Sequence, residues 1–446
     1  NDLLIPGSEF LVQVEMKGLK LDPIRVKEND DYILGLQQEA DAAIQEWAIK
    51  YTGHQINIGS PQQLSDLLYS KMKLGPIGGS TDEDHLIKIQ RRFDHPIVPL
   101  LMRWRKHAKA RNTYVKSVYG TVDKKGRPDK MPWAGTDGRV HVSFKLHGTT
   151  TGRLASSDPT NVQNWPRDAR IRGQVVAEDG HVLVEVDLNQ AELRCLALMS
   201  GDPTLMAIYT ANEVSIHHIT SVAMFGENYT SDEKMRAKAV NFGIVYGRTG
   251  PSLAEEFNIS LAEANEYIKV WLARYPVAAK FIEGCREAPH KQRTLITNFG
   301  RRKRWGAVSF ENARNLENEA ANFPHQSTAH DITLRAGIET QPVIRRVWNA
   351  DYVNEIHDAL YFEIADDPMI YGPAVAYVQS VMSRVPRDYG LTKVPFLAEA
   401  KVGWRWGAEK NAKELGETNP DKLAEYMKDF SPTEEHQEIA QRLLAA

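Results

Sequence analysis

The spacing of apolar and polar residues divides the chain into regions of different predicted structure. Residues 25–115 follow a mostly helical pattern, and residues 121–148 are rich in turns and alternate as short strands do. Helical spacing returns over residues 200–290, and strand alternation over residues 350–364. This order predicts an α+β chain whose sheet is assembled from separated segments.

One predicted strand ends at an acidic residue. Residues 181–187 alternate β-branched side chains, so Asp187 is predicted to be the last strand residue. From Gln190 onward the apolar positions change to helical spacing. Asp187 therefore lies at a strand-to-helix junction, where a carboxylate can face a cleft. For this segment alone, a metal ligand and a helix cap are equally open.

A second acid lies at the predicted junction of two short strands. Residues 352–364 form two apolar runs that meet at His357 and Asp358, as in a tight hairpin. An Asp in a turn is commonly structural. Two acids at strand ends, however, suit Mg²⁺, which takes one or two carboxylates together with water and substrate phosphates. The pair Asp187 and Asp358 is therefore a candidate magnesium site.

Between these acids, one predicted helix has a face of distinct chemistry. A spacing of four residues places two cations and then two aromatic rings on this face: Lys234, Lys238, Phe242 and Tyr246. That order suits a nucleotide lying along the helix, and a basic amphipathic helix end is the alternative. Gly243 and Gly247 each cost about 1 kcal/mol inside a helix, so close approach of a base pair would explain them.

Charge is unevenly distributed along the chain. The whole chain has a net charge of −3, yet residues 86–130 hold 13 Lys or Arg against three Asp, with aromatic residues between them. This pattern is typical of a surface that follows a phosphate backbone, and a solvated helix face with a basic loop is the alternative. A second basic cluster, residues 301–304, is predicted to be a turn. The two cysteines are too few for a disulfide framework.

Five groups of residues, in register over residues 10–410, resemble the motifs of family A DNA polymerases, the bacterial DNA polymerase I group. The matching groups are residues 151–154 with 161–164, residues 187–194, residues 234–247, residues 322–326 and residues 356–358. The resemblance implies a right-hand architecture with an antiparallel-sheet palm and largely helical thumb and fingers. The implied divisions are thumb 1–115, palm 116–200 and 316–410, fingers 201–315 and a C-terminal helical tail 411–446.

The resemblance also implies an activity. The chain is expected to be a template-directed DNA polymerase of replication and repair, which joins deoxynucleotides to a primer 3′-hydroxyl and releases pyrophosphate. Two Mg²⁺ ions are the implied cofactors, with Mn²⁺ as a substitute. The implied partners are primer-template DNA and deoxynucleoside triphosphates, with accessory replication proteins possible. A monomer in the cytoplasm of a bacterial or phage-infected cell is expected, with an organelle open, no membrane partner and no proofreading.

Residue roles follow from the same resemblance. Asp187, Asp358 and Lys238 would be catalytic, and the two acids with the main-chain carbonyl of Leu188 would hold the metals. Nucleotide binding is implied for Gln190, Glu192, His217, Lys234, Lys238, Phe242 and Tyr246. DNA binding is implied for Arg111, Arg153, Asn161, Gln163, Gly247, Asn322, Gln326 and His357. Glu192 would exclude a 2′-hydroxyl, and Phe242 goes with poor use of dideoxynucleotides.

Three positions depart from the family pattern. Lys234 stands where Arg is usual, Ala359 where an acid is usual, and Asn318 where a basic residue is common. Lys234 offers a point charge rather than a bidentate phosphate contact. These departures keep a non-catalytic primer-template-binding scaffold as one alternative. A single-subunit RNA polymerase, which shares the palm and the two acids, is the other, although Glu192 argues against it.

Overall fold

The computed structural model describes residues 2–407, apart from 77–78, 123–124, 126 and 212–214, together with residues 410–411. The predicted helical tail, from residue 412 onward, lies outside the described residues. Within the described part of the chain, no helix combines the length and apolar character needed to cross a bilayer.

Helices account for most of the described chain. They are α1 Leu4–Lys17, α2 Pro23–Thr52, α3 Pro61–Ser65, α4 Glu83–Phe93, α5 Ile97–Tyr114, α6 Ala169–Arg172, α7 Ala191–Ser200, α8 Pro203–Ala211, α9 Ile216–Phe225, α10 Ser231–Val245, α11 Gly250–Phe257, α12 Leu261–Arg274, α13 Pro276–Glu287, α14 Ala313–Trp348 and α15 Pro368–Asp388. The predicted helical stretches are thereby confirmed.

The strands are short outside one central sheet. They are β1 Leu19–Lys20, β2 Thr121–Val122, β3 Pro128–Lys130, β4 Arg139–Val140, β5 Ser143–Lys145, β6 Ala155–Ser157, β7 His181–Leu188, β8 Thr294–Ile296, β9 Arg302–Arg304, β10 Asp351–Ile356, β11 Ala359–Ala365, β12 Ala398–Gly403 and β13 Lys410–Asn411. The central sheet has the order β10-β11-β7-β12-β13, and its neighbours run antiparallel. It joins separated segments, as predicted.

Burial explains why this sheet is rigid. Val184 and Val186 of β7 and Leu360 and Phe362 of β11 are fully buried in one apolar core with α14 and α15. Fully burying a side chain of this size contributes about 1.5–3 kcal/mol. The paired strands β7 and β11 therefore form a fixed platform for the residues at their ends.

Two further cores lie in the helical regions. One packs α2, α4 and α5 with the π-helix Asp66–Lys71, and the other packs the helices between α7 and α13. Helix α2 begins where Asp22 accepts hydrogen bonds from the main-chain N–H groups of Ile24 and Arg25, with Pro23 in the first turn. Each helical region thus has its own apolar core beside the sheet.

Two local predictions were wrong. Strand β7 ends at Leu188 rather than at Asp187, because the pairing with β12 continues to Ala398. The cluster 301–304 is not a turn: Arg302–Arg304 pairs with Thr294–Ile296, and the turn precedes it. The side chains of Arg302–Arg304 alternate in exposure, as in a strand, but a run of basic residues after a glycine favours a turn when the sequence is considered alone.

Candidate active site

The two predicted acids are neighbours in the sheet. A two-residue connection, His357 and Asp358, joins β10 to β11, and His357 adopts a φ of +57°. The next residue, Ala359, is the direct antiparallel partner of Asp187, and the Cα atoms of such partners lie about 4.5–5.5 Å apart. The main-chain N–H of Leu188 donates to the carbonyl oxygen of Asp358 at 3.1 Å. Backbone pairing therefore brings Asp187 and Asp358 together.

The environment of these carboxylates opposes their charge. Burial, followed by the negative charges of Asp358 and Glu185, raises the pKa of Asp187 to about 7. Burial also raises the pKa of Asp358, although Arg153 opposes this effect. One carboxylate oxygen of Asp358, Oδ1, is buried without a hydrogen-bond partner. A nearby cation would favour the ionised form of both carboxylates and lower their pKa values.

The residues fit a divalent cation that retains other oxygen ligands. Asp187 and Asp358 lie at neighbouring strand ends, and the Oδ1 atom of Asp358 has no hydrogen-bond partner. Within the described ranges, no group of three His, Cys, Asp or Glu side chains could hold a metal by itself. Mg²⁺ commonly binds one or two carboxylates and completes its shell with water and phosphate oxygens.

One acid beside this site was not singled out from the sequence. Glu399 on β12 is the antiparallel partner of Asp187 on the side opposite Ala359, and it contributes to the raised pKa of Asp187. Its Oε1 accepts a hydrogen bond from Asn189 Nδ2 at 2.7 Å. Only the strand order shows that Glu399 lies beside Asp187, because the two residues are more than 200 positions apart in the sequence.

The predicted basic and aromatic face is present on α10. Lys234 and Lys238 are exposed, and the rings of Phe242 and Tyr246 stack with centroids 6.1 Å apart. Tyr246 caps the helix, which ends at Val245. The geometric prediction of a shared face is confirmed.

His217 on α9 completes this face. Its ring lies 5.6 Å from the ring of Phe242, and its Nδ1 contacts Asn241 Nδ2 at 3.1 Å. Burial, with the charges of Lys238 and Lys234, lowers the pKa of His217 to about 4. The imidazole is therefore neutral at pH 7.

Asn241 is a buried residue that sequence reasoning missed. Its Oδ1 accepts hydrogen bonds from Thr220 Oγ1 at 3.0 Å and from Trp271 Nε1 at 2.9 Å, while its amide nitrogen contacts His217. This one side chain therefore links α9, α10 and α12 and fixes the His217 ring. Asn241 follows Lys234 by seven residues, about two helical turns, so the periodicity of α10 gave no signal that this side chain is buried.

Glu192 connects Tyr246, at the end of this helix, to Arg153. Tyr246 Oη donates to Glu192 Oε2 at 2.6 Å, and Arg153 forms an ion pair with the same carboxylate. Glu192 is 4% exposed. Gln190 points elsewhere: its Oε1 accepts a hydrogen bond from Tyr209 Oη at 3.1 Å. Glu192 is thus held between the two sides of the site.

Several predicted DNA-contacting residues make contacts within the protein. Asn161 Oδ1 accepts from the main-chain N–H of Gln163 at 3.1 Å, and Gln163 Nε2 donates to the carbonyl of Glu355 at 2.6 Å. Asn322 and Gln326 lie one helical turn apart on α14, and Asn322 Oδ1 is buried without a hydrogen-bond partner. Their roles toward DNA stay predictions, like that of the exposed His357.

The two glycines near the end of α10 have an intramolecular explanation. Gly247 lies just beyond the helix with a φ of +76°, a conformation that favours glycine, and a Cβ there would meet Asn318 Oδ1 at 2.4 Å. A Cβ on Gly243 would lie 3.0 Å from Arg248 Cδ. Contacts within the protein therefore account for both, and close approach of a base pair is not required. Gly247 also borders a cleft of about 550 Å³ with Arg286.

The basic segment is exposed along α4 and α5. Seven of its cations are exposed: Lys88, Arg91, Arg92, Arg103, Lys106, Lys109 and Lys116. Arg111 differs, because its guanidinium makes two hydrogen bonds to Asp30 at 2.6 and 3.0 Å. Trp104 and Tyr114 are partly buried against apolar cores and do not lie free between the charges.

Comparison with known proteins decides the family. The sequence profile described as DNA polymerase family A matches residues 30–408. The chain belongs to DNA polymerase family A. It is 33% identical over 426 residues to DNA polymerase I of Caldicellulosiruptor bescii, covering 90% of this chain and 46% of that protein. It is 32% identical to the thermostable DNA polymerase I of Thermus thermophilus, covering 91% of this chain and 48% of the relative.

A solved structure supports the right-hand fold that family A membership implies. The polymerase domain of Pol1 from M. smegmatis, in complex with DNA primer-template and dNTP, superposes with a TM-score of 0.77. The sequence identity is 25%, over 91% of this chain and 70% of that one. This family A chain spans somewhat less than half the length of the curated relatives described above. The α+β prediction is confirmed.

Proposed function

We propose that this chain is a template-directed DNA polymerase. The observation that carries the proposal is the pairing of β7 with β11, which sets Asp187 beside Asp358. The basic and aromatic face of α10 and the buried Glu192 supply the other parts of a nucleotide site. Membership of family A supports the same activity.

The reaction transfers a nucleotidyl group to the primer. The 3′-hydroxyl oxygen forms a bond to the α-phosphorus of a deoxynucleoside triphosphate, the bond to the β-phosphate oxygen breaks, and pyrophosphate leaves. Two Mg²⁺ ions, replaceable by Mn²⁺, would be held by Asp187, Asp358 and the Leu188 carbonyl, and would stabilise the attacking and leaving oxygens. Lys238 would donate a proton to the pyrophosphate, while Lys234 and the neutral His217 would hold its oxygens.

Selection of the nucleotide would take place beside α10. Glu192, fixed by Tyr246 and Arg153, would close against the sugar C2′ and exclude ribonucleotides. The Phe242 ring would lie against the sugar, and Tyr246 would stack at the template position. Gln190 would assist from the start of α7.

Primer-template DNA would lie across the exposed cations of α4 and α5. Its minor groove and the nascent pair would face Arg153, Asn161, Gln163, Asn322, Gln326 and His357, with Gly247 along the template and Arg111 near the backbone. Residues 1–115 would form the thumb, 116–200 and 316–410 the palm, and 201–315 the fingers. We place the protein in the cytoplasm as a monomer, with accessory replication proteins as further partners.

A primer-extension assay tests the proposal. A 5′-labelled primer on a longer template is incubated with Mg²⁺ and either deoxynucleotides or ribonucleotides. Extension with deoxynucleotides, abolished by Asp187→Ala, is expected. The departures at Lys234, Ala359 and Asn318 keep a scaffold role as the second candidate, which binding without extension would support. Preference for ribonucleotides would indicate an RNA polymerase instead.

A further inference from the structure

A buried pair of polar side chains, a histidine and a carboxylate, lies beneath the hairpin that carries Asp358. His330 on α14 and Glu355 on β10 approach to 3.1 Å between Nδ1 and Oε1, and their side chains are 1% and 0% exposed. Among the described residues, neither side chain has an aligned hydrogen bond to its polar atoms. The pair therefore joins α14 to β10 by a polar contact inside the protein.

A gain in folding free energy does not explain why such a pair is buried. Removing two polar groups from water costs free energy, and an apolar pair of similar volume is often equally stable or more stable. Buried polar pairs are instead useful where one arrangement of two elements must be specified. Here the pair sets the position of β10, the strand that leads to Asp358, relative to the long helix α14.

Glu355 is also held through its main chain. Its carbonyl oxygen accepts the hydrogen bond from Gln163 Nε2 at 2.6 Å, and Gln163 is 8% exposed. The short 3₁₀ segment Val162–Asn164 is therefore hydrogen-bonded to β10 at Glu355, the same residue that contacts α14. Two separate parts of the chain thus fix the position of Glu355.

The position of Glu355 is passed directly to Asp358. Ile356 pairs with Ala359, so only His357 and Asp358 lie in the turn. Since Asp358 Oδ1 has no hydrogen-bond partner, the direction of this carboxylate depends on where the backbone of the hairpin lies. A shift of β10 at Glu355 would therefore move Asp358 relative to Asp187.

The pair is also close enough to affect Asp358 electrostatically. Glu355 raises and His330 lowers the pKa of Asp358, while Arg153 lowers it from the other side. The two members therefore act on the pKa of Asp358 in opposite directions. Losing one member would leave the other uncompensated.

We propose that His330 and Glu355 form a positioning pair that holds Asp358 opposite Asp187 for nucleotidyl transfer. This inference rests on the proposed polymerase function. The pair acts through Asp358 and does not itself contact substrate. It should therefore govern the rate of the chemical step rather than the binding of DNA.

The main test compares two buried carboxylates of the same hairpin. Glu355→Gln removes one member of the pair, and Glu363→Gln is the matched control. Glu363 lies at the open end of the hairpin on β11, is 2% exposed, and accepts from Arg139 Nη2 at 2.9 Å. Single-turnover incorporation is measured over a range of Mg²⁺ concentrations, with primer-template Kd and Tm for each variant. Mn²⁺ binding is followed by electron paramagnetic resonance with a dideoxy-terminated primer.

The expected result separates rate from binding. Glu355→Gln should lower the maximal incorporation rate about tenfold or more, a change of about 1.4 kcal/mol. It should also weaken Mn²⁺ binding, with primer-template Kd changed by less than about twofold. Glu363→Gln should lower Tm but keep the rate within about twofold. A normal rate and normal Mn²⁺ binding in Glu355→Gln would overturn the inference.

A second variant guards against misfolding. His330→Leu combined with Glu355→Leu removes both polar side chains and should fold, because no polar group of the pair remains buried without its partner. Its rate should stay low, since the contact that sets β10 is absent. Full recovery of the rate would mean that charge balance alone matters and would overturn positioning. If the unmodified protein itself does not extend a primer, the proposed function fails and this inference fails with it.

Discussion

The acid-bearing hairpin and the nucleotide-facing helix are built in opposite ways. Asp187 and Asp358 are 171 residues apart and meet only because β7 pairs with β11. Lys234 and Lys238 share one face of a single helix and remain exposed. The acids sit where burial raises their pKa, whereas the lysines stay in contact with water. Burial thus opposes the negative charge of the two acids in the sheet, whereas the two lysines on the helix keep their contact with water.

This difference indicates a division of labour. A buried carboxylate pair on a rigid sheet provides electrostatic preorganisation, which does not need to be rebuilt at each turnover. The exposed lysines of α10, on a helix linked to the sheet side through the bond between Tyr246 and Glu192, lie where an arriving nucleotide can reach them. We expect changes in the sheet to reduce the chemical rate and changes on α10 to affect nucleotide binding as well.

The largest effect is expected at the hairpin. Asp358→Asn keeps the shape of the side chain but removes its charge, so the maximal incorporation rate should fall about 10²–10³-fold or more. Primer-template binding should change little, because the basic surface on α4 and α5 is untouched. Single-turnover incorporation and a fluorescence-based DNA titration measure the two quantities.

Glu185→Gln is the matched control for that change. Glu185 lies on β7 two residues before Asp187, and Lys401 Nζ donates to its Oε1 at 2.7 Å. Because the charge of Glu185 raises the pKa of Asp187, its loss favours the ionised form of Asp187, and the rate at pH 7 should not fall. Equal losses for Asp358→Asn and Glu185→Gln would mean that general negative charge, rather than the paired acids, supports the reaction.

A smaller loss is expected on the helix. Lys238→Ala removes the proposed proton donor and one phosphate contact, so kcat should fall about 10²-fold and KM for the nucleotide should rise. Lys238→Arg should restore KM more than kcat, because arginine keeps its proton. Lys269→Ala, an exposed lysine on α12, is the control. A change in KM alone would assign Lys238 to binding and not to proton transfer.

The two regions also differ in what their sequences reveal. The α10 face follows from a spacing of four, and the strands around Asp187 and Asp358 follow from alternation, so both were predictable from local patterns. The side chain of Asn241 was not, because its partners Thr220 and Trp271 come from other helices. The buried contact of His330 with Glu355 was missed for the same reason. Local periodicity reports which side of an element is buried, but not which polar groups meet there.

The smallest effect concerns the neutral His217 at the edge of the α10 face. Because burial and the two lysines lower its pKa to about 4, the folded protein binds fewer protons than the unfolded chain between about pH 4 and pH 6.5. Its contribution to stability is therefore complete above pH 6.5 and is lost as the pH falls toward 4. His217→Gln should reduce this slope and lower kcat/KM about tenfold at pH 7, through the loss of one hydrogen bond to phosphate.

Urea unfolding at pH 7 and pH 5 measures that slope, and histidine resonances followed by nuclear magnetic resonance report the His217 titration. His218→Gln is the matched control, because the adjacent ring contacts Tyr229 Oη rather than the two lysines. Binding of a triphosphate should raise the pKa of His217, since the added negative charge offsets the lysines. A His217 resonance that titrates near pH 6.5 without nucleotide would mean that the ring is not buried beside the lysines. His217 would then not belong to the α10 face in the comparison of the helix with the sheet site.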